Sequence, residues 1–208
     1  MTESSQTEKL IADMENEVRQ NPASVVARHR LALAYWRGER MQDAMKTFEE
    51  ALEIDPTSFE MRINLGSLYF QSGDIEAGIE QNKIALQAHP GAAEAMANIG
   101  SAYLQLRKYE DAASFFRQAI EKKPDMVPAL TNLATALVEL NELDEALEIA
   151  EKAARLAPTF GLAWNNLAVV KYYRKDLEGA AESLERAKEL GYPVHPDFEA
   201  KIKEGSRD

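Results

Sequence analysis

Apolar residues in this chain recur on two nested periods, one of a helical turn and one of 34 residues. Set in 34-residue rows that begin at Val25, Phe59, Ala93, Val127 and Gly161, the sequence falls into columns. The seventh column reads Leu31, Leu65, Ile99, Leu133, Leu167, and the eighth Ala32, Gly66, Gly100, Ala134, Ala168. The twentieth reads Ala44, Gly78, Ala112, Ala146, Ala180, and the twenty-seventh is alanine throughout: Ala51, Ala85, Ala119, Ala153, Ala187. Columns four, seven, eight and eleven share one arc at ~100° per residue, the buried stripe of an amphipathic helix. Columns twenty, twenty-four and twenty-seven make the same stripe on a second helix. Each row therefore predicts a helical hairpin, with columns eight and twenty small so that its two helices can approach.

The polar and special residues punctuate the same period. Pro22, Pro56, Pro90, Pro124 and Pro158 occupy column thirty-two, where a residue without a backbone donor stops the second helix; Pro193 follows one residue late. Arg37-Gly38-Glu39 and Ser72-Gly73-Asp74 mark turns inside hairpins. Ser58, Asp125 and Thr159 are expected to N-cap the helices that follow, and Pro128 sits in a first turn, where a missing N–H is harmless. Leu10, Ile11, Met14 and Val18 form a stripe in the place of a second helix, so 7–20 reads as a half-repeat covering the first hairpin. Phe198 and Ile202 read as a capping helix over the last. A stack of hairpins needs such ends, because each hairpin buries its apolar sides only against neighbours. Residues 1–6 and 204–208 are expected to be loose.

These columns closely resemble the tetratricopeptide repeat family, whose pattern has a bulky residue in column four, then Leu, a small residue, Tyr, Ala, an aromatic, Ala and Pro. The resemblance covers Val25 to about Tyr192, with Leu31–Pro56 and Ile99–Pro124 as the best rows and Trp164 as the family's column-four tryptophan. Tyr35, Tyr69 and Tyr103 supply column eleven, followed by Leu137 and then Lys171. Column four departs at Arg28, Arg62, Met96 and Leu130, and column twenty-four holds Asn82, Ala150 and Leu184 in place of an aromatic. The second and fourth hairpins are therefore expected to be less tightly filled than the first and third. The resemblance implies an all-α fold, a right-handed superhelical solenoid of antiparallel helix hairpins. It divides the chain into a start and N-terminal half-repeat at 1–24, repeats at 25–58, 59–92, 93–126, 127–160 and 161–193, and a C-terminal cap and tail at 194–208.

Composition narrows the function. A net charge of −11 argues against nucleic acid, because phosphate binding needs a basic surface that releases counterions. The charge is a solvating coat rather than a tail, since 127–160 sets Lys152 and Arg155 against six acids while 93–126 is balanced. With no cysteine there is no disulfide, thiol chemistry or Cys-based metal site. Met1 to Lys9 fits no signal peptide, and no stretch reaches the ~20 apolar residues of a membrane helix, so a cytoplasmic protein without membrane insertion is expected. His29, His89 and His195 lie in different rows and columns, and no catalytic, metal or cofactor motif is present. The expectation is a non-enzyme without a cofactor.

The candidate site is column six: Arg30, Asn64, Asn98, Asn132, Asn166. It lies ~200° from column four and so points away from the buried stripe. In the resembling architecture that face of the first helix lines the concave groove. The arrangement is similar to the asparagine ladder in the superhelical domain of the O-linked N-acetylglucosamine transferases. Each amide offers two donors and an acceptor to a peptide backbone, or it ties neighbouring first helices together; both readings stand. Columns five and nine around it (Ala97, Thr131, Ser67, Ser101 and Thr135, against Ile63) leave room for a backbone. Trp36, Phe70, Tyr172 and Tyr173 at columns twelve and thirteen are candidate anchors or inter-repeat packing, and Arg30 and Arg37 flank Trp36. Family members that grip chaperone tails hold two carboxylates with Lys, Asn, Asn, Lys and Arg. Here the corresponding residues are His29, Leu33, Asn64, Glu94 and Asn98, so that role is not expected. A pentatricopeptide RNA reader is excluded by charge and column pattern. The reading is a scaffold or adaptor binding an extended peptide or partner helix as a monomer, with self-assembly through the capping ends as the alternative.

Overall fold

A computed structural model describes residues 3–205, which contain twelve α-helices and no strand among them. They divide into two compact units, 1–98 and 99–208, and the division falls inside one helix. Unit one holds α1 (Glu3–Gln20), the hairpin α2 (Val25–Arg37) and α3 (Met41–Ile54), the hairpin α4 (Phe59–Ser72) and α5 (Ile75–Ala88), and the start of α6 (Ala93–Gln105). Unit two holds the rest of α6, then α7 (Tyr109–Lys122), the hairpin α8 (Val127–Glu139) and α9 (Leu143–Leu156), the hairpin α10 (Gly161–Tyr173) and α11 (Leu177–Glu189), and α12 (Pro196–Gly205). No helix among the described residues is long and apolar enough to cross a membrane.

Close helix approach at the small columns builds each hairpin. Ala44, Ala112, Ala146 and Ala180 are fully buried, as is every alanine of column twenty-seven. A Cβ on Gly66 would run into Asn82 Nδ2 and lie 3.0 Å from the Gly78 carbonyl oxygen, so in the second hairpin the helices leave no room for a side chain there. Columns three and ten are buried in every row as well, at Ala27, Met61, Ala95, Ala129 and Ala163, and at Ala34, Leu68, Ala102, Ala136 and Val170. Hydropathy does not single these out, because most are alanines.

The ends of the first helices share one solution. Column fifteen is left-handed in each hairpin: Glu39, Gly73, Arg107, Asn141 and Lys175 have φ of 59°, 88°, 57°, 58° and 66°. That conformation lets the next N–H return to the carbonyl of column eleven, as in Arg40 N to Tyr35 O and Glu142 N to Leu137 O, both 2.9 Å. The second helices end in a β-turn with proline in its second position, where the ring's fixed φ fits. Met126 N donates to Lys123 O at 3.1 Å and Phe160 N to Ala157 O at 3.0 Å across Pro124 and Pro158. This turn displaces two expected caps: Asp125 and Thr159 lie inside it, and Met126 and Phe160 are the N-cap residues. Ser58 holds the cap position, but its hydroxyl makes no cap bond. The side-chain caps are Ser24, Asp74 and Asp176, which accept from Ala27, Ala77 and Gly179 N–H groups.

Column four explains its own departures. Trp164 Nε1 donates to Pro158 O at 3.1 Å, and Arg62 reaches Pro56 O through Nε and Nη2 at 3.0 and 2.8 Å. Arg28 Nη1 donates to Pro22 O in the same way. Arginine and tryptophan thus do one task here, supplying a donor to a turn carbonyl that has no helical partner.

Filling differs between the two hairpins expected to be loose. In the second, Asn82 is fully buried with its Nδ2 on Gly78 O at 2.8 Å, and the Phe70 ring fills the space beside Gly78, so no gap results. In the fourth, Leu130 and Leu137 are fully buried, but Ala150 replaces the phenylalanine found at Phe48 and Phe116. Two cavities open beside that hairpin, of about 160 and 390 Å³.

The capping helices differ from expectation in detail. Tyr35 OH donates to Glu15 at 2.7 Å just as Tyr69 OH donates to Glu49 at 2.9 Å, so α1 stands where a second helix would. Ile11 is the buried anchor, whereas Leu10 is 39% exposed. Leu10 shares the column of Ala44, which meets the first helix of its own hairpin, and α1 has no such partner. The ends expected to be loose are helical as far as they are described. Thr7 and Ile11 pack where a Cβ on Gly38 would lie, at 3.2 and 2.9 Å, and extend α1 back to Glu3. Ile202 is buried beside Leu184 and anchors α12 through Gly205. The remaining residues, 1–2 and 206–208, lie outside the described residues.

Two substitutions test this framework. Leu133→Ala, at a side chain 1% exposed, should lower the unfolding free energy by about 2–5 kcal/mol in urea titration. Gly73→Ala should cost about 1 kcal/mol, wholly from its left-handed backbone, because a Cβ there meets nothing within 4 Å.

Candidate functional site

The four asparagines of column six all donate to the preceding repeat. In unit one, Asn64 Nδ2 lies 3.2 Å from His29 Nε2, and Asn98 Nδ2 donates to Ser67 Oγ at 3.3 Å and Asn82 Oδ1 at 3.2 Å. In unit two, Asn132 Nδ2 donates to Ser101 Oγ at 3.3 Å. Asn166 Nδ2 donates to Thr131 O at 3.0 Å and Thr135 Oγ1 at 3.3 Å. Arg30 takes the same column in the first row and reaches Glu17 of α1 at 3.0 and 3.1 Å. The column-nine hydroxyls are therefore acceptors for the ladder rather than empty floor. Ser67 and Thr135 also donate to Ile63 O and Thr131 O, so each hydroxyl relays between an amide and its own helix. At ~0.5–1.5 kcal/mol each, these bonds hold neighbouring first helices in register. The amide oxygens of Asn64, Asn98, Asn132 and Asn166 accept none of the hydrogen bonds found among the described residues.

The aromatic candidates separate into three environments. Trp36 is half-buried, and its Nε1 donates to Gln71 Oε1 of the next repeat at 3.1 Å. Phe70 turns into its own hairpin across Gly78. Tyr172 packs edge-on against Phe198 at 5.5 Å and Tyr173 at 5.7 Å, inside the C-terminal cap. Tyr173 is 53% exposed and, with Asn166, Thr135, Val138, Glu139 and Val169, lines the 160 Å³ cavity between α8 and α10. Arg37 is exposed. Unit two thus brings Asn166 and Tyr173 together on one cleft; in unit one Arg30, Trp36 and Arg37 share α2. The cleft escaped sequence reasoning because it depends on Val138, Val169 and Glu139, residues with no signature beyond their columns.

Tetratricopeptide repeat models match residues 25–68, 63–127 and 103–169. The chain belongs to the tetratricopeptide repeat family. No curated protein sequence matches it. Among solved structures it is similar to YrrB, described as a tetratricopeptide repeat protein with an unusual peptide-binding site, at 17% identity and TM-score 0.71. That match covers 94% of this chain and 98% of YrrB. It is also similar to MamA from Desulfovibrio magneticus RS-1, at 18% identity and TM-score 0.72 over 80% of this chain and 94% of that one. A third likeness is to the anaphase-promoting complex assembly Cut9–Hcn1, at 15% identity and TM-score 0.79, over 97% of this chain and 40% of that one. At these identities the likeness is one of fold, and the tetratricopeptide repeat is in general a protein-interaction scaffold.

Titration behaviour follows from the inter-repeat contacts of this tetratricopeptide repeat protein. Burial, with the hydrogen bonds to Glu15 and Glu49, pushes the Tyr35 and Tyr69 phenols from 10 up to about 12. Burial also lowers the His29 imidazole below its usual 6.5, against the pull of Glu60. Its Nε2 then accepts from Asn64, which needs the neutral ring. For the tyrosines the folded value lies above the unfolded one. Their contribution to stability is complete below pH 10 and is lost as pH rises towards about 12. Absorbance titration at 295 nm should show a late phase near pH 12 that Tyr35→Phe with Tyr69→Phe abolishes. Ionisation of every tyrosine near pH 10 would contradict the two contacts.

Proposed function

We propose that this chain is a non-catalytic adaptor that binds an extended polypeptide along the exposed face of its first helices. In unit two the cleft between α8 and α10 takes an apolar side chain of that polypeptide. The observation that carries the reading is the 160 Å³ cavity floored by Val138 and Val169, with half-exposed Tyr173 at its edge. Asn166 sits in the same cleft, its N–H held by Thr131 and Thr135 and its carbonyl oxygen free to accept a backbone N–H of the guest.

Magnitudes favour the cleft over the ladder as the source of affinity. With their donors committed to the fold, the amides offer one acceptor each, at ~0.5–1.5 kcal/mol. A millimolar complex already needs about 4 kcal/mol. Burying one Val-, Leu- or Phe-sized side chain adds about 1.5–3 kcal/mol, which makes the anchored pocket the decisive element. YrrB, of similar fold, is described as having a peptide-binding site, and that likeness supports polypeptide as the class of ligand.

Selection of a displayed peptide library on the immobilised full chain supplies the ligand for the test. Tyr173→Ala should weaken the selected peptide by about tenfold, the loss of ~1.4 kcal/mol of anchor contact, with the helical content unchanged. Asn166→Ala should weaken both binding and stability. Peptides that bind Tyr173→Ala as well as the parent would remove the cleft from the function.

A further inference from the structure

We infer that the outward face of α2 is a docking surface for an acidic amphipathic helix. The chain carries a net charge of −11, yet α2 contains Arg28, Arg30 and Arg37 and no acid. Two of those arginines share one stripe with two exposed apolar side chains: Val26, Arg30, Leu33 and Arg37 follow at i, i+4, i+7 and i+11. Val26 is 67% exposed, Leu33 40% and the Arg30 side chain 54%. Single exposed apolar residues are ordinary on a protein surface. Here they alternate with arginines in register, and no other first helix repeats the arrangement. The same columns read Glu60, Asn64, Ser67, Gln71 in α4 and Pro128, Asn132, Thr135, Glu139 in α8.

The spacing specifies the guest. Val26 and Leu33 are seven residues apart, as are Arg30 and Arg37, which is about 10 Å along the helix axis. A partner helix lying along α2 meets that period with apolar residues at heptad spacing and carboxylates beside them, the geometry of a coiled-coil seam with charged flanks. Arginine suits the flank because its planar guanidinium takes a carboxylate bidentately. Arg37 takes part in no hydrogen bond or ion pair among the described residues, and Arg30 pairs only with Glu17 in a solvent-exposed bridge. A guest carboxylate can replace Glu17 there without uncovering a buried charge. Charge complementarity therefore selects an acidic helix and rejects a basic one. The assignment rests on the preceding reading only in taking first helices as the face that polypeptides meet.

The probe is a dye-labelled three-heptad helical peptide with leucine at its core positions and glutamate at the flanks. A second peptide carries lysine in place of each glutamate. Fluorescence anisotropy with the full chain should show saturable binding of the glutamate peptide that weakens as salt is raised, and none of the lysine peptide. Arg30→Glu with Arg37→Glu should weaken it by about tenfold or more. Arg37→Glu alone, at an unpaired exposed residue, should weaken it by about fivefold and guards against a folding defect in the double variant. Tyr173→Ala should leave it unchanged, so loss of the unit-two cleft and loss of this surface are read separately. Absence of binding, equal binding of the lysine peptide, or indifference to the arginine reversals would each overturn the assignment. So would loss of binding in Tyr173→Ala.

Discussion

Contact between paired helices at positions too small to hold them apart is the constraint on which this protein depends. Gly66 against Gly78, and alanine at every position of column twenty-seven, bring the helices close together, and in the first and third hairpins one large side chain fills what remains. Phe48 and Phe116 are such side chains, and both are fully buried. The left-handed residue that ends each first helix follows from the same demand, since the chain must reverse at once for the second helix to lie against the first. Four of those residues are not glycine and accept the strain, which shows how firmly the hairpin imposes it.

Register between neighbouring hairpins is held by polar groups. Asn64, Asn98, Asn132 and Asn166 donate across to the preceding repeat, and Tyr35 and Tyr69 do so to a glutamate. Side chains that a sequence reader sees as a ligand-facing ladder are thus first a fastening. What they leave for a partner is their carbonyl oxygens and the surface between them.

Much of this was legible in the sequence, and the misreadings have physical causes. Columns seven, eight, twenty and twenty-seven pointed to the hairpins because leucine and alanine there cannot be exchanged without opening the pair. Columns three and ten were missed because alanine is equally at home on a helix surface and in a core. Asp125 and Thr159 were misplaced as caps because the residue directly after the proline belongs to the turn, and the cap is the one beyond it. Arg28 and Arg62 looked like departures, but each donates to the preceding proline carbonyl as Trp164 does, so in these rows the arginine does the tryptophan's task. Phe70 looked like an anchor because its column falls on the groove side in the resembling architecture, but its ring lies in the space beside Gly78. The cleft beside Tyr173 was not legible, since its walls are Val138, Glu139 and Val169, residues with no distinguishing pattern.

The functional account turns on which helices a bound polypeptide covers. Hydroxyl-radical footprinting of the full chain, with and without a captured polypeptide, reads this side chain by side chain. Protection is expected at Val169 and Tyr173 on α10, which line the cleft, with unchanged oxidation at Ile54 and Leu156, which are exposed on second helices at 44% and 46%. Protection of Ile54 and Leu156 with α10 unaffected would place the partner on the opposite helices and contradict it.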